Sequence, residues 1–114
     1  MIKSAIILTV TGMLTLVSAS AFADGNAAAG KVKSQVCQAC HGVDGNSTNP
    51  EFPRLAGQYA DYIVHALKQY KSGARKNAIM NGFAASLSTQ DMEDIAAYFS
   101  SQKGLHTLHY HMPK

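Results

Sequence analysis

Cys37-Gln38-Ala39-Cys40-His41 is the stretch of the 114-residue sequence that decides the fold. Two thiols three positions apart at a helix end can each add to one vinyl group of the same haem. The adjacent imidazole of His41 would then supply an axial nitrogen to the iron. These five residues predict one covalently bound haem c that is held by Cys37, Cys40 and His41.

Three other kinds of site use closely spaced cysteines. A redox-active dithiol of the thioredoxin type requires a βαβ pattern, which this sequence does not show. A zinc site requires about four ligands, and the chain has only two cysteines. A structural disulfide is the default for a cysteine pair in an exported protein, but it would not need His41. A bound haem explains all three side chains.

Upstream of this motif, residues 1–23 have the three-part order of a secretory signal. Met1-Ile2-Lys3 is a short basic start, Ala5 to Val17 is apolar and uncharged, and Ala21-Phe22-Ala23 gives an Ala-x-Ala cleavage pattern. The alternative is a membrane anchor, but the apolar run is shorter than the roughly 20 residues of a span. We therefore expect cleavage after Ala23, a periplasmic location and a mature chain that begins at Asp24.

The exported part is small, and domains of its size often depend on a metal, a disulfide or a cofactor. The full sequence has nine aromatic residues and no Trp, so a buried haem would contribute apolar contact on the scale of several core side chains. Once the signal is removed, nine Lys and Arg face seven Asp and Glu. That charge balance is too weak to indicate nucleic-acid binding.

Helical periodicity predicts an all-α domain over residues 24–104. A first helix, capped by Asp24 or Asn26, is expected to run to the cysteines. Gln58 to Lys71 and Ser88 to Gln102 carry apolar residues at helical spacing. We expect about four helices wrapped around one haem.

Turn residues indicate where these helices end. Gly73 is placed to terminate the Gln58–Lys71 helix, and Ser88 with Asp91 resembles a capping box. Cys37 to Pro53 is expected to be loop because it is rich in Gly, Asn and Pro. Arg75 to Leu87 shows no clear period, so we expect irregular structure there.

The sixth position on the iron has four candidates. Met92 lies on the apolar stripe of the last helix, where a core role is expected. Met112 is near the chain end, where ordering a ligand has a high entropic cost. His65 falls within a helix and is expected on its surface or flank. Met80 precedes the last helix in a segment that can cross the haem face opposite His41. We therefore predict His41 and Met80 as the two iron ligands.

Five motifs in a fixed order resemble class I c-type cytochromes, most closely one domain of the tandem di-haem cytochrome c4 type. They are Cys37-x-x-Cys40-His41-Gly42, Phe52 to Gln58, Met80-Asn81-Gly82-Phe83, Leu87-Ser88 and Asp94 to Phe99. The likeness covers nearly all of residues 24–102. One Cys-x-x-Cys-His in the sequence implies one haem.

The resemblance implies roles for individual residues. His41 would be the proximal ligand, Met80 the distal ligand, and the carbonyl of Pro53 would accept the Nδ1 proton of His41. Gly30 would lie against Ala97 and Tyr98 where the first and last helices cross. The family often has a second Met where Phe83 stands, and its absence here makes Met80 the less ambiguous ligand.

Two filled axial positions predict electron transfer rather than catalysis. We expect a periplasmic single-electron carrier between respiratory redox proteins, with no small-molecule substrate and with possible peripheral docking to membrane complexes. One alternative is an electron-entry subunit of a larger dehydrogenase or reductase. Another is a small haem peroxidase or gas sensor, which would need an open sixth site. Six basic residues could steer an acidic partner or could be solvated surface: Lys31, Lys33, Lys68, Lys71, Arg75 and Lys76.

The C-terminal segment, residues 105–114, lies outside the resemblance. It contains His106, His109, His111 and Met112, and such side chains can bind copper, nickel or zinc. The three histidines could instead form a pH-responsive contact to a partner. The alternative to both functions is a disordered or loosely docked tail, with Leu105 and Leu108 resting on the domain. We expect the haem ligands to lie elsewhere in either case.

Overall fold

The computed structural model describes residues 24–105, so the predicted signal at 1–23 and residues 106–114 of the histidine-rich tail lie outside it. The described chain is all-helical, as predicted, with no strand. It has five helices rather than about four: α1 (Ala27–Lys33), α2 (Gln35–His41), α3 (Ala60–Ser72), α4 (Ala78–Ala84) and α5 (Thr89–Ser100).

The prediction of a single first helix is wrong, because the helix is interrupted at Ser34 between α1 and α2. Asn26 caps the start of α1, its side chain accepting the N–H of Ala29. Ser34 is fully buried, and its hydroxyl donates to the carbonyl of Lys31. A serine that bonds the backbone three residues earlier competes with the helical ladder, and the chain turns before the cysteines. Helix α2 then contains Cys37 to His41, so the expectation of a loop that starts at Cys37 is wrong for these five residues.

Helices α3 and α5 match the prediction closely. Gly73 ends α3 in the left-handed conformation with φ of 77°, which glycine adopts without steric cost. The capping box at the start of α5 is present: Ser88 accepts the N–H of Asp91, and the Asp91 carboxylate accepts the N–H of Ser88. The residues at these two helix ends, a glycine and a capping serine, set both boundaries.

Helix α4 corrects the expectation of an irregular segment between Arg75 and Leu87. It begins after Asn77, whose side chain accepts the N–H of Met80. Met80 is therefore the third residue of a short helix and not part of a loop. The small residues around it hide the helical period, because Gly, Ala and Asn carry little apolar contrast.

Helix α5 is the centre of the fold, with α1 packed on one side of it and α3 on another. The core cluster comes from α3 and α5 alone: Ile63, Leu67, Met92, Ile95, Ala96, Tyr98 and Phe99. Within residues 24–105, no helix has the length and apolar character that crossing a bilayer requires.

Candidate haem-binding site

His41 is the last residue of α2, and its side chain is buried. Its Nδ1 lies 2.8 Å from the backbone carbonyl oxygen of Pro53. A carbonyl can only accept, so Nδ1 carries the proton and Nε2 keeps its lone pair. The ring therefore presents one unprotonated nitrogen in a fixed orientation, which is what an axial ligand requires.

The loop after α2 brings the Pro53 carbonyl to His41. The carbonyl of Gly45 accepts the N–H groups of Leu55 and Ala56 at 2.8 and 3.2 Å, which folds the loop back on itself. Gly45 has φ of 83° and lies against Phe99, so a side chain there would be strained and would collide with the core. The rings of Phe52 and His41 form a T-shaped pair, with 6.4 Å between ring centres.

Helix α5 also anchors this loop, through Tyr98. The buried Tyr98 ring places its hydroxyl 2.7 Å from the carbonyl oxygen of Val43, two residues after His41. The sequence indicated Tyr98 only as a helix-crossing contact, and nothing local marks Val43 as its partner. Because the hydroxyl donates to this carbonyl, the last helix helps to fix the backbone that follows His41.

Cys37 and Cys40 lie on α2, and both are half-buried free thiols. Burial raises the pKa of the Cys37 thiol, whereas a disulfide-exchange cysteine needs a lowered pKa. In the described part of the chain, no group of three or more His, Cys, Asp or Glu side chains is arranged to hold a metal ion. These observations do not favour a redox dithiol or a zinc site formed by protein ligands.

Met80 lies half-buried on α4 and packs against the core cluster, as Cys37 does from α2. The other candidates in the described chain are placed differently. Met92 is only 2% exposed within the core, and His65 is exposed on α3. Met112 lies outside the described residues. The fold thus brings Met80 and the cysteine motif, which are distant in sequence, onto one apolar cluster.

The residues present fit a covalently attached haem. The set comprises two thiols at the vinyl-group spacing, an imidazole with its second nitrogen already hydrogen-bonded, and a thioether in apolar surroundings. These donors suit iron with one nitrogen and one sulfur ligand. The individual assignments of Cys37, Cys40, His41, Met80 and Pro53 stay predictions.

Residues 27–103 match the family model described as Cytochrome c. The chain belongs to the cytochrome c family. It is 50% identical over 97 residues to cytochrome c4 of Pseudomonas aeruginosa, covering 84% of this chain and 48% of that protein. It is 48% identical over 82 residues to cytochrome c-554(548) of Halomonas halodenitrificans, covering 69% of this chain and 99% of that protein.

Solved structures agree with this assignment. The reduced cytochrome c4 from Pseudomonas stutzeri superposes with a TM-score of 0.67 at 52% identity, covering 71% of this chain and 47% of that chain. The cytochrome described here spans about half the length of the cytochrome c4 relatives it matches. Membership confirms the small cytochrome c fold and covalently bound haem c as the cofactor.

Half of the six basic side chains have partners within this cytochrome. Lys33 pairs with Asp91 and Asp94, Lys71 donates to the carbonyl of Leu87, and the Arg75 guanidinium lies over the Tyr70 ring. Lys31, Lys68 and Lys76 are exposed. Lys33, Lys71 and Arg75 are exposed as well, and only Lys33 faces carboxylates, so the basic ring that steers a partner stays a prediction.

Proposed function

We propose that this cytochrome is a periplasmic single-electron carrier whose haem c is attached through Cys37 and Cys40 and ligated by His41 and Met80. The observation that carries the proposal is the 2.8 Å hydrogen bond from Nδ1 of His41 to the Pro53 carbonyl. It orients the imidazole and raises its basicity as a ligand. A buried structural histidine would also need a hydrogen-bond partner, so the bond favours a ligand because it fixes the ring directly after Cys37 and Cys40 at the end of α2.

When bound, the haem would supply one-electron redox chemistry, and the protein would contribute His41 and Met80 to hold its iron. His41 ends α2 and Met80 lies on α4, so two separate helices provide the ligands. A thioether ligand favours the reduced iron, which predicts a relatively positive potential. A peroxidase or gas sensor would need an open sixth position, which a bound Met80 removes.

The partners follow from the same proposal. A carrier of this kind accepts an electron from a dehydrogenase or reductase and passes it to an oxidase or reductase. Lys31, Lys68 and Lys76 are exposed cations that suit an acidic partner surface. Co-purification tests this assignment: a monomer that exchanges electrons and dissociates is expected, and a stable complex with a dehydrogenase or reductase would make it a subunit instead.

Two measurements test haem attachment and location. After extraction with acidified acetone, the pigment should remain on the polypeptide, and release of the pigment would contradict the thioether bonds to Cys37 and Cys40. The intact mass of the protein from a periplasmic fraction should match one haem plus a chain that begins at Asp24. A chain that retains residues 1–23 would contradict cleavage after Ala23.

The axial ligand is tested by Met80→Ala, with Met92→Leu as the control. The Met80 variant should lose the weak far-red absorption band of a methionine–iron bond and should bind added imidazole readily. The Met92 variant replaces a buried core side chain by one of similar volume, so it should keep the band. Loss of the band only in the Met92 variant would exchange the two roles.

A further inference from the structure

The side chain of Asn81, the neighbour of Met80, uses both ends of its amide in hydrogen bonds. Its Nδ2 donates to the carbonyl oxygen of Tyr70 at 2.6 Å and to that of Arg75 at 2.9 Å. Its Oδ1 accepts the backbone N–H of Asn77 at 2.9 Å. These partners define the orientation of the amide, because the flipped form would set its oxygen against two carbonyl oxygens.

The partners of Asn81 belong to three successive parts of the chain. Tyr70 is in the last turn of α3, where its carbonyl also accepts the N–H of Gly73. Arg75 lies in the connection to α4, and Asn77 caps the start of α4. One half-buried side chain thus ties the end of α3, the connection and the beginning of α4 together.

Helix α4 needs such support because it has only seven residues. Isolated helices shorter than about 12 residues are marginal in water, because the first turn fixes several residues for one hydrogen bond. Within α4, Asn77 accepts the backbone N–H of Met80 at 3.0 Å. This bond sets Met80 relative to Asn77, and the Asn81 amide sets Asn77 relative to α3.

We infer that Asn81 is a positioning residue for the sixth iron ligand. Its side chain holds α4 against the end of α3 so that the Met80 thioether stays at the metal. The inference rests on the proposed ligation by Met80. A thioether competes poorly for iron once it can move away, so the hydrogen bonds of Asn81 are expected to decide how easily another ligand displaces it. Arg75 supports the same segment, since its guanidinium lies 4.9 Å from the centre of the Tyr70 ring.

Asn81→Asp and Asn77→Asp form a matched pair of variants. Each makes the same substitution with the same charge change in the same short helix. At position 77 the side-chain oxygen accepts the N–H of Met80, and aspartate caps a helix start as well as asparagine does. At position 81 the substitution removes both donors and points a carboxylate at two carbonyl oxygens.

The measurement is the binding of imidazole to the oxidised holoprotein, followed by loss of the far-red band. Asn81→Asp should bind imidazole on the order of tenfold more tightly than the wild type, because about one net hydrogen bond of restraint is lost. Asn77→Asp should stay within about twofold of the wild type, because aspartate keeps the side-chain oxygen that accepts the N–H of Met80. Equal affinities in the two variants would overturn the inference.

Further variants separate positioning from general stability. If Asn81→Asp gives no holoprotein, Asn81→Ala replaces it, since alanine favours the helix and adds no charge; it too should bind imidazole more tightly, and wild-type affinity would overturn the inference. Asn26→Ala removes the cap of α1 and should lower the melting temperature without changing imidazole affinity; a comparable rise in affinity there would also overturn it. Retention of the far-red band in Met80→Ala would instead contradict the proposed ligation.

Discussion

At the scale of single residues, Gly30 shows most directly how the fold depends on the absence of a side chain at one position. Gly30 lies on α1 where it crosses α5. A Cβ at this position would lie 1.9 Å from the carbonyl oxygen of Asp94 and 2.9 Å from the Cβ of Tyr98. The expected contact with Tyr98 is therefore present, and the closest neighbour is the Asp94 backbone rather than Ala97. Only glycine allows the helices to approach this closely.

Gly30→Ala should therefore force α1 away from α5. Overpacking of this kind costs about 1–3 kcal/mol or more, because the obstacle is backbone and cannot rotate away. Thermal unfolding of the holoprotein measures the loss, and Lys31→Ala, at the exposed next position, is the control with a change below about 0.5 kcal/mol. Equal melting temperatures for the two variants would show that the crossing can open without cost.

At the scale of elements, the contact between α1 and α5 is also electrostatic. The Lys33 ammonium lies 2.8 Å from the Asp91 carboxylate and 2.6 Å from that of Asp94. The buried Asp94 also accepts the backbone N–H of Asn26 at 2.8 Å and the side chain of Gln90 at 3.0 Å. One carboxylate thus joins the start of α1 to the middle of α5.

This network predicts a pH dependence of stability. The bond from Lys33, then those from Asn26 and Gln90, lower the pKa of Asp94 from 3.8 to about 2. A lowered carboxyl pKa contributes stability that is complete above the unfolded value and is lost as pH falls from about 4 through about 2. Bonds to Asp91 and Asp94 raise the pKa of Lys33 above 10.5, so its contribution is lost only at pH above that value.

Asp94→Asn should lower the melting temperature at pH 7 and flatten its fall between pH 4 and 2. The amide keeps a similar shape but loses the charge that pairs with Lys33. Melting temperatures over a pH series check both effects, and Glu93→Gln, which changes the charge of the neighbouring carboxylate, is the control. An unaltered acid profile in Asp94→Asn would assign the acid sensitivity to other carboxylates.

The start of α5 gives a second prediction at this scale. Ser88→Ala removes the hydroxyl that accepts the N–H of Asp91 at 3.1 Å, and loss of such a cap costs about 1 kcal/mol. Denaturant unfolding measures the change. Ser86→Ala, an exposed serine just before the helix, should have almost no effect, so equal losses at both positions would contradict the capping role.

At the scale of the whole molecule, the last described residues after α5 pack against the loop between α2 and α3. The N–H of Leu105 donates to the carbonyl of Ala56 at 2.8 Å, and the Asn46 side chain donates to the carbonyl of Lys103 at 2.8 Å. Gly104 lies against the Ala56 side chain. The expected docking of Leu105 on the domain is present as a backbone contact, while its side chain is 43% exposed.

Two truncations test the tail. A chain that ends at Leu105 should keep the haem spectrum, the reduction potential and the melting temperature of the full protein. A chain that ends at Lys103 should lose about 1 kcal/mol of stability, because the Leu105–Ala56 hydrogen bond is gone, with the spectrum unchanged. Loss of the far-red band in either truncation would place a tail residue on the iron and would exclude Met80.

The sequence by itself determined what depends on neighbours a few residues away. The cysteine–histidine motif at a helix end, the capping box of α5, the glycine end of α3 and the apolar stripe of Met92, Ile95 and Phe99 are all local patterns. They rest on side-chain spacing and on bonds within one turn, so the residues involved can be identified from the sequence alone. The all-α class, the cofactor and the candidate proximal ligand follow from them.

Tertiary structure decided what depends on partners far along the chain. Helix α4 forms where no period is visible, and hydrogen bonds from Asn81 join it to carbonyls of α3 and of the connection. The buried carboxylate of Asp94 binds Lys33 of α1 and the Asn26 N-cap that precedes α1, both far from it in sequence. Tyr98 reaches the carbonyl of Val43 across the fold, and no local pattern identifies that partner. A hydrogen bond between distant residues leaves no periodic trace in sequence, and it forms only when packing brings both groups together.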